Sequence, residues 1–335
     1  MKFWHSRRGP VLAAVMLAVV VSAVAGSVTP AQAAIVPGSA KMMPGTSPAI
    51  AGLSNGAYEI AYQGSDGRLW IIGWYNGQRV PNGGNTGYIM QPGTSPAITA
   101  LPNGGFEVAF QGRSGNLWAV GTYRDGGLGV AMLPGTSPSI AALSNGGFEI
   151  TYQNRYGYLG AVGTNNYGSL GVKVLPGTSP SITALRNGGW EVAFQGPAGD
   201  LWTVGTFDYG DLSVKMLAGA YPTSPSITSL TNGGFEVALQ SRAGYLSSVG
   251  TYNYGGLGLA MMPDGGPAIA GLTNGGFEIA FQDISGDLWT VGTYNKGNRG
   301  INMLPGTSPA ITALRNGGFV AAFQDINGNL ETVTN

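Results

Sequence analysis

The chain has 335 residues, with 16 basic against 16 acidic side chains, 58 glycines and no cysteine. Hydrophobic residues make up 43% and charged ones 10%, so it can support a core and does not have the composition of a disordered chain. Its one histidine is His5, so beyond the N-terminal segment Ser-His-Asp and Cys-His nucleophile systems and zinc sites built on His or Cys are excluded, and no disulfide can form.

Residues 1–33 read as a signal peptide. Lys2, Arg7 and Arg8 precede an apolar run from Val11 to Ala25, and Ala31-Gln32-Ala33 has the small-x-small form of a cleavage site. The run falls short of the ~20 apolar residues that span a bilayer. Ser6-Arg7-Arg8 hints at twin-arginine export, but Pro10 stands where that motif carries a large apolar residue, so ordinary secretion is expected. Cleavage removes three basic residues and no acidic one, leaving a net charge of −3. Such a chain offers no electrostatic footprint to nucleic acid or to an anionic membrane. The mature protein is expected to be secreted, extracellular and free of the membrane.

Residues 34–335 read as one domain of seven repeats, opening near Pro44, Pro92, Pro134, Pro176, Pro222, Pro263 and Pro305. The second repeat runs Pro-Gly-Thr-Ser-Pro, Ala97 to Leu101, Asn103-Gly104-Gly105, Phe106 to Gln111, a turn ending at Gly115, Leu117 to Thr122, a variable loop, and Leu128 to Leu133. Self-similarity at about 42 residues marks a solenoid or a propeller. Phe106, Val108 and Phe110 alternate with Glu107, Ala109 and Gln111, which is strand periodicity, and Gly-rich turns recur every 8 to 12 residues. The repeat therefore reads as four short strands, one blade of a seven-bladed β-propeller, all-β. Asn-Gly pairs supply the positive φ of the first hairpin. The small residues of the first strand suit the innermost position. The seventh repeat lacks a fourth strand, and Ala40-Lys41-Met42-Met43-Pro44 parallels Val214-Lys215-Met216-Leu217. Residues 36 to 43 are accordingly expected to close the last blade.

Features present in every repeat point to the scaffold. Gln63, Gln111, Gln153, Gln195, Gln240, Gln282 and Gln324 recur seven times and are expected to bond loop backbone groups. Glu59, Glu107, Glu149, Glu191, Glu236 and Glu278 recur six times, with Val320 in the seventh. They are expected to accept bonds from backbone N–H groups or from hydroxyls of the Thr-Ser-Pro corner. Features that differ between repeats point to function. The third strand carries Trp70, Trp118, Trp202 and Trp289, but Gly160, Ser247 and Glu331 in the other three repeats, so these Trp are either packing aromatics or ligand platforms. The loop between strands three and four varies most. It reads Trp74-Tyr75-Asn76-Gly77, Tyr123-Arg124-Asp125, Asn165-Asn166-Tyr167, Phe207-Asp208-Tyr209, Tyr252-Asn253-Tyr254 and Tyr294-Asn295-Lys296. An aromatic face beside Asn and Asp suits the C–H side and the hydroxyls of a pyranose. This loop and the Asn-Gly-Gly hairpin are expected on one varied rim, with the corner and the second hairpin on a uniform opposite rim. Asp325-Ile326-Asn327-Gly328-Asn329 has the oxygen alternation of a calcium loop, but its Gly is misplaced and no downstream Glu follows. Ser65 to Trp70 falls one residue short of an Asp-box hairpin. Both read as turns, and no metal or cofactor is expected.

The order Ser-Pro-Ala-Ile, Gly-Gly-Phe-Glu-Val-Ala-Phe-Gln-Gly, Ser-Gly-Asn-Leu-Trp over residues 95 to 118 resembles the repeats of tectonin and Photorhabdus-type propeller lectins. It is also similar to propeller repeats of secreted actinobacterial proteins. The resemblance covers nearly all of residues 36 to 335 and implies monosaccharide sites in clefts between blades, near a Trp-Trp-Asp-Gly segment. Trp74-Tyr75-Asn76-Gly77 matches that segment, whereas Thr122, Thr164, Thr206, Thr251 and Thr293 replace its first Trp.

The expected function is a secreted, multivalent carbohydrate-binding propeller, with a glycan or cell-surface polysaccharide as partner. The candidate ligand residues are Trp74, Tyr75, Asn76, Tyr123, Asp125, Phe207, Asp208, Tyr252, Asn253, Tyr294 and Asn295. An extracellular protein-interaction scaffold is the alternative. A propeller glycosidase would need convergent carboxylates, and Asp66, Asp125, Asp208, Asp211 and Asp264 form no such set in the sequence; no enzyme is expected.

Overall fold

The computed structural model describes residues 34–335 except 38, 76–77, 80–83, 165–166, 208, 218–221, 253 and 294–295. Seven antiparallel sheets follow one another along the chain, each a meander whose first strand lies innermost. In blade two the strands are Ala97–Ala100, Phe106–Gln111, Asn116–Gly121 and Asp125–Ala131. The other blades repeat this order, with an additional short strand, Gln78–Arg79, in blade one. Asn103 Oδ1 accepts the N–H of Gly105, and Gly104 sits at φ +92°, so the Asn-Gly pair turns the first hairpin as the sequence indicates.

Blades pack face to face through seven apolar clusters. Phe110, Ile98 and Val108 of blade two meet Leu69, Ile71 and Met90 of blade one, and the pattern recurs around the ring. The first strands converge on a channel lined by Ile50, Thr99, Ala141, Thr183 and Thr312. Small side chains stand there because seven strands share that space.

Two belts of hydroxyls tie neighbouring blades together. In the corners, Ser47 N donates to Ser95 Oγ, Ser95 N to Ser137 Oγ, Ser137 N to Ser179 Oγ and Ser179 N to Ser224 Oγ, each at 2.9 Å. Ser308 N donates to Ser47 Oγ, which joins blade seven to blade one. Along the channel the direction reverses: Gly52 N donates to Thr312 Oγ1 of the preceding blade, Ala142 N to Thr99 Oγ1 and Ser229 N to Thr183 Oγ1. The corner serines thus bond blade to blade, and blade six interrupts their belt with Gly266.

The N-terminal segment closes the ring, with different bounds from those expected. The paired strand is Ala34–Ile35, opposite Thr332 and Glu331, and Val36 N donates to Leu330 O. Among the described residues of 36 to 43 there is no extended strand. Within this stretch Met42 N donates to Gly328 O. In blade two the chain passes from the Gly127–Trp118 pair to the bond of Met132 N with Gly115 O through four residues, 128–131. In blade seven the corresponding stretch is six residues, 36–41. The two extra residues are taken up in the bulge that every fourth strand makes, so the strand falls N-terminal to it.

The recurrent Gln side chains are buried. Gln111 Nε2 donates to Leu133 O and Gln195 Nε2 to Leu217 O, joining the end of strand two to the segment leading into the next blade.

Candidate ligand-binding clefts between blades

The loop between strands three and four is held by the recurrent Glu. In blade two Glu107 is fully buried; its Oε2 accepts Tyr123 N at 2.9 Å and its Oε1 accepts Arg124 N at 3.2 Å. Glu191 accepts Phe207 N and Glu236 accepts Tyr252 N, each at 3.0 Å. The hydroxyls of the Thr-Ser-Pro corner lie at the other end of the blade, so of the two partner types expected for Glu these bonds use the backbone one. Burial pushes the Glu107 carboxyl up, while the N–H groups of Tyr123 and Arg124 pull it back.

The Thr that replaces Trp in this loop has a structural role. Phe106 N donates to Thr122 Oγ1 at 3.1 Å, Thr122 N donates to Phe106 O, and a Cβ on Gly105 would fall 2.3 Å from Thr122 Oγ1. The glycine makes room for the threonine, which pins the hairpin. In blade seven Asn335 fills this place, with Phe319 N donating to Asn335 Oδ1.

Held in this way, the loop aromatics lean across to the following blade. Tyr123 is 55% exposed and meets Phe148 of blade three edge-on, ring centres 5.6 Å apart at 88°. Phe207 is 59% exposed and meets Phe235 of blade five at 5.5 Å and 87°. Tyr252 is 56% exposed at the end of blade five. Beside Tyr123 opens a cleft of about 400 Å³ lined by Arg124, Leu128, Phe148, Val162, Gly163 and Thr164. It combines an aromatic wall and an apolar floor with a guanidinium and a hydroxyl, the mixture that an amphipathic small ligand requires.

Not all the expected residues converge. Asp125 accepts the Tyr88 hydroxyl of blade one and so turns to the interface opposite Tyr123; this bond, together with burial and the charge, pushes the Tyr88 phenol up. Trp74 and Tyr75 end the third strand of blade one, where Tyr58 pairs with Trp74. Asn76, Asp208, Asn253, Tyr294 and Asn295 lie outside the described residues. The four third-strand Trp lie nearer the opposite rim, pack on the second-strand aromatic of their own sheet and join the clusters between blades, Trp118 also meeting Tyr88 of blade one at 5.8 Å and 49°. Trp118 stacks on Phe110 at 6.3 Å and 24°, Trp70 on Tyr62 at 6.2 Å and 27°, while Trp202 and Trp289 tilt against Phe194 and Phe281 at 6.3 Å. A Cβ on Gly64, Gly112 or Gly196 would fall 2.5 to 2.6 Å from Trp70, Trp118 or Trp202. In blade three, Asn154 replaces that glycine and Gly160 replaces Trp, its space taken by the Tyr152 ring, 2.6 Å from where a Cβ would stand. In blades one to four Trp thus goes with the glycine, whereas blade six keeps Trp289 with Asp283 in that place.

The two motifs read as turns are turns. Asp325 Oδ1 accepts Asn327 N and Asn329 N, and although burial raises its carboxyl, the Asn329 and Asn327 donors hold it below the usual range. Asp66 accepts Arg68 N and Trp70 Nε1. None of Asp66, Asp125, Asp211 and Asp264 lines the channel.

Glu59, like Glu107, has its carboxyl pKa raised by burial. Burial pushes its carboxyl up to about 7 from an ordinary 4.5. Below 4.5 both folded and unfolded chains hold the proton; between 4.5 and 7 only the folded chain does, so stability falls as pH rises through this window and the loss is complete above it. Glu59→Gln is expected to raise the unfolding free energy at pH 8 by about 1–2 kcal/mol, allowing for partial solvation, and to change nothing at pH 4. Calorimetry at both values checks this; an equal effect at both contradicts it.

No protein-family model and no curated protein matches the chain. Among solved structures it is similar to the BP39L lectin from Burkholderia pseudomallei, with a TM-score of 0.61 and 12% identity over 84% of this chain and 96% of that one. It is also similar to a mutant of the Aleuria aurantia lectin in complex with Fucα1-6GlcNAc, with a TM-score of 0.54 and 12% identity over 86% and 91%. BBS1N in complex with ARL6DN gives a TM-score of 0.53 and 10% identity over 90% and 95%. At such identities the likeness is one of fold.

Proposed function

We propose that the protein is a secreted glycan-binding propeller that holds sugars in clefts between adjacent blades, on the rim carrying the loops between strands three and four. The observation that carries this reading is the Tyr123–Phe148 pair, an exposed aromatic set edge-on over the next blade beside an open cleft of about 400 Å³. The Phe207–Phe235 pair repeats the arrangement two blades on. A pyranose lays its C–H face on such a ring and turns its hydroxyls to groups like Arg124 and Thr164. The lectins of like fold and the resemblance to tectonin and Photorhabdus-type repeats support the same reading. Several weak sites on one rim would act together on a polysaccharide, raising avidity without new contacts.

A glycan array and isolated cell walls test it. The wild-type protein is expected to bind, and Tyr123→Ala with Phe207→Ala is expected to lose about tenfold or more in avidity with an unchanged melt. Absence of binding on both supports at high protein concentration contradicts the proposal. The second reading, a protein-interaction scaffold, is favoured by the likeness to BBS1N, whose structure is that of a complex with ARL6DN. It predicts capture of a culture-supernatant protein that free sugars do not compete away.

A further inference from the structure

The rim opposite the clefts carries a charge pattern that the ligand site does not use. Its parts meet at one end of each blade: Ser65 N of a second hairpin donates to Lys41 O of the N-terminal closing segment, and Met43 N, entering the corner, donates to Gln63 O. Across blades two to five the exposed cations of this rim are Arg113, Arg155, Lys173, Lys215 and Arg242. Two carboxylates accompany them, the buried Asp200, which pairs with Lys215, and the exposed Asp211 opposite Trp202. Across blades six, seven and one the balance reverses. Asp66 and Asp264 stand there exposed, Asp283 and Asp287 half-buried and Asp325 buried, against Lys41 and Arg68. Each arc is contiguous, so a rim of repeated backbone has a basic half and an acidic half.

Exposed apolar side chains stand in both halves. Tyr156 and Tyr245 lie in the basic arc, and Ile284 and Ile326 occupy the hairpin tips of the acidic arc. The matching tips elsewhere are Ser65, Arg113, Arg155, Pro197 and Arg242. An isoleucine at a solvent-facing hairpin tip gains nothing in the isolated ring.

We propose that this rim is a self-association surface, on which a second copy of the chain docks face to face about a two-fold axis lying in the plane of the rim. Such an axis sets each copy's basic arc on the other's acidic arc, an isologous contact in which both halves are used twice. It also turns the isoleucine tips toward the half that holds Tyr156 and Tyr245. A polyanion would answer the basic arc alone and would meet Asp66, Asp264, Asp283 and Asp287 on the same face. A second copy answers both arcs and covers the isoleucines. Exposed ion pairs are individually weak, so the charges set orientation and encounter rate, while the apolar tips supply the holding contact. The assembly would present ligand clefts outward on both sides, which doubles the valency available to a surface.

Light scattering and sedimentation of the chain from Ala34, which holds every described strand, test this. A dimer is expected at low salt, dissociating at least about tenfold more readily at 0.5 M salt, where screening is shorter than the pairs' separation. Arg155→Glu with Arg242→Glu is expected to give a monomer with the parent melt, as is Asp264→Lys with Asp287→Lys; mixing the two variants is expected to restore a dimer. Ile284→Ser with Ile326→Ser is expected to weaken the dimer without changing its salt dependence. A monomer at high micromolar concentration in low salt overturns the proposal. So does a dimer indifferent to salt and to the arginine reversals, a mixture that stays monomeric, or a monomer that those arginines retain on an anionic polysaccharide resin.

Discussion

Deletion of residues 34–43 is expected to lower the midpoint of thermal unfolding by at least about 10 °C, from a loss of roughly 5 kcal/mol in a domain of this size. The segment supplies the outer pairing of blade seven through Ala34 and Ile35. Val36 and Met42 are buried in the cluster that joins blade seven to blade one, beside Tyr62, Ile72 and Leu330. Removing two such side chains forfeits about 2 kcal/mol each in burial. It also leaves Leu330 O and Gly328 O without the N–H groups of Val36 and Met42. Blade one loses the bond from Met43 N to Gln63 O as well. The inner belts, Ser308 to Ser47 and Gly52 to Thr312, remain, so the shortened chain is expected to fold with a lower melt. A calorimetric midpoint within a degree or two of the parent contradicts this account of closure.

The second large effect is expected at Glu107. Glu107→Ala removes the acceptor for both Tyr123 N and Arg124 N and opens a hole at a fully buried position. Two orphaned N–H groups and the cavity together cost about 2–4 kcal/mol. The loop that sets Tyr123 over Phe148 loses its anchor, so sugar binding at this cleft is expected to fall with stability. Glu107→Gln keeps an acceptor and removes a charge that burial disfavours, so it is expected to melt close to the parent and to keep binding. Chemical denaturation of the two variants separates the outcomes. If alanine and glutamine behave alike, the carboxylate is not the loop's anchor.

The scaffold was legible in the sequence because it is written seven times. Asn103-Gly104 turns, the small first strands and the alternation from Phe106 to Gln111 each predicted what the structure contains. The bounds of the closing strand were not legible. Met42 aligns by sequence with Met216, but the six-residue bulge before it moves the pairing back to Ala34 and Ile35, and nothing in the composition of 36–41 marks that. The varied rim was legible only in part. Tyr123, Phe207 and Tyr252 stand exposed as the loop reading expected, yet Asp125, two residues from Tyr123, turns to Tyr88 of the preceding blade. Sequence adjacency cannot tell which of two blade interfaces a side chain faces. A signal for losing Trp was present in the sequence but easily missed. Gly64, Gly112 and Gly196 accompany Trp70, Trp118 and Trp202, where an added Cβ would meet the indole, although blade six keeps Trp289 with Asp283 in the glycine's place. The corner serines look like turn residues, and their bonds to the next blade appear only when the ring is assembled.

The most direct test of glycan binding between blades is a crystal soaked with a mixture of monosaccharides. Bound sugar is predicted over Tyr123 and Phe148, with a second copy at Phe207 and Phe235. Sugar found only in the central channel or on the opposite rim, with both aromatic pairs bare, would contradict the account.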